Sequence, residues 1–546
     1  GPMPAGPDTH AGRWALTATA VAVVPVVVAG VRRAAGSWVP VGDQAYFTVR
    51  SRDVLTPHHP LVGAFSSASV ELDRLVNNLG PLQFDLLAPF AKIAPWGGTA
   101  LGVAAVHVAA IVTIAWLAAR LAGPPAVAAT MAVVVALTWA LGSERLITPV
   151  QHPYLVVPML AFLVAAWATA AGDRFAPVAM VATGSLCAQT HLSTAPIVIV
   201  VTLAACIIAW FSHRSSATSA GQPPRAVDRH VMNPSRRPLV VPAGVAIALW
   251  AQPFADQFWG TGNLADVLRA GGDSDGGGQP GLATAVRIVA GTLGDPRRLV
   301  RGGFTPQEGR VPLGGPAAVT ALLVLVLAAL AIVFVRRGPA TGRRARAGAA
   351  VWLTAVFAAV LTAWRLPVTA FDLPATNYRW LWSLAAFGWV GVLAAAATAG
   401  RRAVPSAAWL VPVVGLAVCN LPTGPHDAAA MPATVRVVSE FVDELEHGEL
   451  LDGVGGPLRF DDSHLYFGHP YNYPLMAALQ SRGIDLHFAE EYHVRRFGER
   501  RRADGSEVAT IVLYHADEAR ALAGQNDTLV VDDGDGRVVA AVLEWP

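Results

Sequence analysis

The chain has 546 residues, of which 53% are hydrophobic and only 14% charged, with a mean hydropathy of +0.45. This composition excludes a water-soluble globule for most of the length and indicates a polytopic α-helical membrane protein, with the lipid bilayer as its first partner. A formal net charge of +2 speaks against a nucleic-acid partner, and three cysteines, Cys187, Cys206 and Cys419, provide no disulfide framework.

Gly1 and Pro2 before Met3 read as a tag scar. The apolar run at 14–34 ends in Arg32 and Arg33 rather than a small-residue cleavage site, which marks a retained spanning helix and not a signal peptide. Crossing a hydrocarbon core of about 30 Å takes about 20 apolar residues. Further runs at 97–121, 125–142, 153–171, 175–190, 194–211, 239–255, 316–335, 349–364, 380–399 and 406–421 bring the expectation to about 11 spans. With a cytoplasmic amino terminus, three basic connections lie inside, as the positive-inside rule asks. They hold Arg214, Arg225, Arg229, Arg236 and Arg237; Arg336, Arg337, Arg343, Arg344 and Arg346; and Arg401 with Arg402. An odd number of spans then puts the carboxyl-terminal segment outside a plasma membrane, with Arg32 and Arg33 dissenting.

The transmembrane part is expected at 1–421, with long outer loops at 35–96 and 256–315, the second carrying a Gly-rich stretch from Gly271 to Gly281. In the first loop, Val70, Leu72, Leu75, Val76, Leu79, Leu82 and Phe84 form a stripe suited to the membrane interface. Residues 422–546 read as a small extracytoplasmic α/β domain. Its predicted elements are helices at 432–451 and 473–482 and strands near 458–460, 484–488, 508–514, 528–531 and 538–543.

Chemistry concentrates in the first loop, in the run from Gly42 to Asp73 with Asp43, Arg50, Arg52, Asp53, His58 and His59. That mixture beside a bilayer points to a site for a polar, anionic ligand. If 43–53 is helical, the two aspartates share one broad side. Plainer roles are a helix cap for Asp43, a salt bridge to Arg50 or Arg52 for Asp53, and solvation for His58 and His59, which otherwise suit sugar hydroxyls or a phosphate. His191, near the outer end of the fifth span, is an ionisable group in an apolar run, open to function or to interhelical packing. Glu144, His152, Gln252, Asp256, Gln257 and Asn263 fall near the same face and are candidates to line an acceptor groove. No His, Cys or Asp spacing makes a zinc site, so no metal ligand is assigned.

The segments GDQAYFTVRSRDV, PLVGAFSS, NLGPLQFDLLAP, QHPYLVVP, QTHLS and WAQPFADQFWGTGNL, within roughly the first 270 residues, resemble those of a known family. It is the GT-C superfamily of polyprenyl-phosphate-dependent membrane glycosyltransferases, of the actinobacterial cell-envelope type. The span count and soluble tail are similar too, and an Arg-rich chain whose one lysine is Lys92 suits such a source. The resemblance implies a GT-C-like fold and inverting transfer of a sugar from a polyprenyl-phosphate donor to a glycan, lipid or protein acceptor. It places the general base at Asp43, with Asp53 second. Many members carry two adjacent acids there, whereas Gln44 follows Asp43 here. The departing phosphate needs outer cations, for which Arg379, between Tyr378 and Trp380 as headgroup anchors, Arg365 and Arg52 are the candidates. Substrate contacts are expected from His58, His59, His152, His191, Gln257 and Asn263. Arabinofuranose and mannose are both open as the sugar, and so is a divalent cation, Mg2+ or Mn2+. A polytopic transporter or lipid-linked sugar flippase is the alternative, followed by an envelope scaffold.

Overall fold

A computed structural model describes residues 7–36, 38–66, 69, 75–219, 237–272, 278–295, 309–334, 340–366, 368, 372–397, 405–422, 432–466 and 469–546. Among these, eight helical segments are long and apolar enough to cross a membrane: His10–Ala35, Gly98–Ala122, Pro124–Leu141, Gln151–Ala170, Leu192–Ser212, Pro316–Phe334, Gly342–Arg365 and Ala375–Ala396. The other three expected spans are also helical, at Ala176–Thr190, Arg237–Trp259 and Leu410–Cys419, but they do not meet the same length and hydropathy criteria. The count of about 11 is therefore eight by those criteria. Arg225, Arg229, Arg236, Arg336, Arg337, Arg401 and Arg402, the side chains of Arg214 and Arg237, and 273–277 of the Gly-rich stretch lie outside the described residues.

In chain order the helices are α1 (Pro7–Ala35), α2 (Asp43–Asp53), α3 (Leu82–Ile93), α4 (Gly98–Ala122), α5 (Pro124–Leu141), α6 (Val156–Ala170), α7 (Ala176–Thr190), α8 (Ala195–Ser219) and α9 (Arg237–Trp259). Next come α10 (Asn263–Gly272), α11 (Leu282–Leu293), α12 (Pro316–Phe334), α13 (Ala340–Arg365), α14 (Leu381–Ala397) and α15 (Leu410–Cys419). The tail adds α16 (Pro432–His447), α17 (Asn472–Ser481), α18 (Glu491–Phe497) and α19 (Ala516–Ala521), with β1 (Leu458–Asp461), β2 (Leu486–Phe488), β3 (Ala509–His515), β4 (Thr528–Asp532) and β5 (Val538–Glu544). The five strands form one sheet in the order β2-β1-β3-β5-β4, parallel across β2-β1-β3 and antiparallel across β3-β5-β4.

Small residues let the bundle close tightly. A Cβ on Gly30 would come within 2.7 Å of the Ala104 Cβ, so α1 and α4 cross where neither has bulk. At one end of the bundle Arg120 pairs with Asp173 at 2.6 Å, and Arg344 donates to the Leu121 carbonyl at 2.7 Å. The first loop and the tail share the other end, where Arg32 donates to the Pro422 carbonyl and Ser143 bonds Asn420 through both its amide and its hydroxyl. Arg32 and Arg33, out of place by charge, are thus held by protein, Arg33 pairing with Glu144 at 3.5 Å under the Trp38 ring.

The molecule has two main hydrophobic cores. One runs through the bundle; the other joins Val39, Tyr46, Phe47, Val49, Phe84 and Ala88 of the first loop to Val438, Phe441, Leu475, Met476, Phe488, Phe497 and Ile511 of the tail. The core of the tail is thus continuous with the first loop, and a smaller cluster of Ala519, Val538 and Ala540 lies within the tail itself. Val76 and Phe84, expected at the membrane interface, are 0% and 1% exposed inside protein, while Val70 and Leu72 lie outside the described residues.

Helix α2 is buried almost all round although it is polar, because its charges find partners at both surfaces. Asp53, 1% exposed, accepts from Arg50 at 2.6 Å, Arg501 at 2.7 Å and Gln480 at 2.8 Å, and Arg50 also donates to the Phe497 carbonyl at 2.8 Å. Truncating one partner of a buried pair leaves the other charge uncompensated, a loss of about 3–5 kcal/mol. Arg501→Ala should accordingly loosen the tail from the first loop, read as a lower thermal midpoint and faster proteolysis of residues 432–546 in the purified full-length protein.

Candidate functional site

Gly42 caps α2 with φ +54°, a conformation that favours glycine, and its amide donates to the Pro470 carbonyl of the tail at 3.2 Å. Asp43 is thus the first residue of α2 and not its cap. Its side chain is exposed, and among the described residues none hydrogen-bonds its carboxylate. The first helical turn favours a negative charge there. From the tail, α18 brings Tyr492 and Arg496 within electrostatic reach of Asp43, and Asp462 acts on the same two side chains. Burial pushes the Tyr492 phenol up, and the nearby carboxylates add to it.

The other first-loop candidates fall elsewhere. Asp53 is walled into the ion network just described, so the two aspartates do not serve one site, and the salt-bridge role holds for Asp53 through Arg50 and Arg501 rather than Arg52. Arg52, expected at the donor phosphate, donates to the Ala477 and Pro95 carbonyls and lies 5.0 Å over the Trp96 ring. Burial pushes its guanidinium down to about 10, partly offset by Glu446 and Asp53. It bolts the loop to the tail. His58 does the same through Asp485, at 2.9 Å. His59 accepts from the Leu55 amide at 2.9 Å and meets Gln252 at 3.1 Å, and Gln252 donates to Asp85 at 2.8 Å.

Asp85 was not a sequence candidate. Burial raises its pKa, and its Oδ1 is buried with no hydrogen-bond partner.

Near the bundle, His152 and His191 rings stand 4.9 Å apart, His191 bonds Ser193 at 2.7 Å, and Arg379 lies within electrostatic range of His152. Three of the expected residues therefore converge. Tyr378 and Trp380, expected as headgroup anchors, are 2% and 3% exposed inside the bundle, and Arg365 is exposed over the Trp364 ring at 5.0 Å. Gln257 accepts from the Ala265 amide, and Asp256 takes the Asn263 amide and Thr261. Asn263, 1% exposed, exchanges bonds with the Asn77 backbone at 2.8 and 3.0 Å and accepts from Arg495 at 3.1 Å. Gln257 and Asp256 thus order the turn after α9, and Asn263 ties it to the first loop and to the tail.

Two groups in the tail combine histidine with carboxylates closely enough to share a cation: Asp462, Glu490 and His493, and His487, Asp504 and Glu507. In the first, the His493 Nε2 is 2.9 Å from Asp462 and 3.9 Å from Glu490. Chain spacing concealed it, because Asp462 and His493 are 31 positions apart. The sequence also missed α18, whose seven residues are too few to show a helical period. Of the tail tyrosines, Tyr473 is core at 5% exposure, whereas Tyr466 is 61% exposed beside His469 and His515, with ring centroids at 4.6 and 5.6 Å.

Comparison with solved structures finds a likeness over almost the whole chain. The crystal structure of ArnT from Cupriavidus metallidurans bound to undecaprenyl phosphate is 14% identical, with a TM-score of 0.44, covering 97% of this chain and 98% of that one. The apo state of the same protein matches at the same identity and coverage with a TM-score of 0.39. No protein-family model and no curated relative matches the sequence.

Acid should test how the tail is held. Burial pushes Asp462 up, but hydrogen bonds from His493 and Asn472 and the His493 charge more than offset it. Burial likewise pushes Asp485 up, and His58 and Arg501 bring it below the usual carboxylate range. A depressed carboxylate binds fewer protons folded than unfolded, so its stabilisation is complete above about pH 4 and is lost as pH falls through the depressed value. Protease resistance of the tail should fall in that acid window, and Asp485→Asn should flatten the fall.

Proposed function

We propose that this chain is an integral membrane glycosyltransferase of the GT-C type. It takes a sugar from a polyprenyl-phosphate carrier at the outer face of the plasma membrane and transfers it, with inversion, to a hydroxyl of a cell-envelope glycan, lipid or protein. The observation that carries this reading is Asp43: an exposed carboxylate, uncommitted to any described hydrogen-bond donor, at the first turn of the helix that follows the first apolar span.

Glycosyl transfer needs a base within hydrogen-bond reach of the attacking hydroxyl. Asp43 meets the accessibility requirement and Asp53 does not, so the second catalytic candidate is set aside. The acceptor oxygen attacks the anomeric carbon, its proton passes to Asp43, and the bond to the phosphate breaks with its electron pair on the phosphate. Arg379, with His152 and His191 beside it, supports a binding place for that phosphate at the bundle end. Tyr466, with its exposed ring, supports an acceptor sugar stacking on the tail. Arabinofuranose and mannose fit the proposal equally.

If a divalent cation takes part, the trio of Asp462, Glu490 and His493 has a suitable donor set for Mn2+, one imidazole and two carboxylates. Such an ion would supply Lewis-acid stabilisation of phosphate oxygens.

Asp43→Asn should lower sugar transfer from a polyprenyl-phosphate donor in isolated membranes by about 10²–10⁴-fold with an unchanged thermal midpoint. Wild-type transfer by that variant would remove the assigned base, and lipid-linked sugar movement without a glycosidic product would favour a flippase. Arg379→Gln should raise the donor KM more than it lowers kcat.

A further inference from the structure

Arg496 is treated by the fold unlike its neighbours. Its guanidinium carbon lies 4.7 Å from the Tyr492 ring centroid, 5.0 Å from Tyr473, 5.2 Å from Phe65 and 5.3 Å from Tyr46. Helix α2, the first loop and the tail all contribute to this cage. Rings stabilise a cation through their faces and leave its N–H groups unspent. Arg50, Arg52, Arg495 and Arg501 each donate to a named carbonyl, amide or carboxylate. The guanidinium of Arg496 hydrogen-bonds none of the described residues, and its Nε is buried. Asp43 and Asp462 act on it only through space.

A half-buried guanidinium fixed in direction by four rings and holding unspent donors is a receptor for an anion with paired oxygens. Asp43 is within electrostatic range of Arg496, so an anion bound by the guanidinium would be in range of the proposed base too. We infer that Arg496 binds the phosphate of the lipid carrier alongside Arg379, so that the tail supplies a second cation to the site whose base comes from the first loop. This rests on the glycosyltransferase reading. When the anomeric C–O bond breaks, its electron pair goes to the phosphate, which changes from a singly charged diester to a doubly charged monoester as the acceptor proton passes to Asp43. A fork-shaped cation gains strength at that moment, which is where stabilisation accelerates transfer.

The test uses the full-length protein in nanodiscs, with undecaprenyl phosphate and inorganic phosphate as probes. Arg496→Met fills the cage without the charge, and Arg496→Lys keeps the charge without the fork. Binding of undecaprenyl phosphate should weaken about tenfold or more in Arg496→Met and less in Arg496→Lys, with thermal midpoints near that of the wild type. Affinity in Arg496→Met within about twofold of wild type would overturn the assignment. If that variant does not fold, a folded Arg496→Lys with wild-type affinity overturns it, because the fork is what reads the phosphate. Loss of inorganic phosphate binding alone, with carrier binding intact, would assign the arginine to a soluble anion and overturn the lipid source. Arg496-dependent carrier binding in a wild type that transfers no sugar would sink the glycosyltransferase reading and leave this assignment standing. Transfer by wild type and Arg496→Met with the same carrier KM would do the reverse.

Discussion

The arrangement depends on a buried carboxylate held between two arginines. Asp53 at the end of α2 takes Arg50 from its own helix and Arg501 from the tail, with Gln480 completing its shell. A charge cannot be buried alone, so α2 can leave water only where Arg501 and Gln480 meet it. The same requirement fixes the register of the helix: once Asp53 is locked inside, Asp43, ten residues earlier, is left at the opposite end beside α18. One aspartate is spent on structure, and the other stays available for chemistry.

A second consequence is that the groups proposed for the site belong to no single segment. The carboxylate comes from the loop after the first span, the caged arginine from a seven-residue helix near the end of the chain, and the histidines from the bundle. Around them, Asn77, Asn263 and Arg495 join three remote stretches through amide and guanidinium hydrogen bonds. Such side chains are directional, and they hold loops at fixed separations where apolar packing would let them slide.

Much of this was legible in the residues. Apolar runs of spanning length located the bundle helices, alternation located all five tail strands, and the stretch 43–53, helical only as a condition in the sequence, is α2. The expected spans at α7, α9 and α15 are helical too, but they are shorter or carry internal prolines and fall below the length or hydropathy of the other eight. Of the proposed site, only part was visible in the sequence. Asp43, His152, His191 and Arg379 could be named because ionisable groups beside apolar runs are costly without a reason. Arg52, Asp53, His58 and Asn263 carried the same signal for a different reason, interdomain pairing, and a sequence cannot distinguish a charge meant for a ligand from one meant for a distant loop. Arg496 was invisible because a cage of Tyr46, Phe65, Tyr473 and Tyr492 exists only after folding.

The shared core also sets an order of events during synthesis. Asp53 and Arg501 are 448 positions apart, so α2 leaves the ribosome long before the strands and helices that cover it exist. Until then a helix bearing Arg50, Arg52 and Asp53 must wait in water beside a half-built bundle, closing a long loop only at the end. A chain that stops before residue 472 lacks Gln480, Arg496 and Arg501, and with them the partners that the tail brings to Asp53 and Asp43.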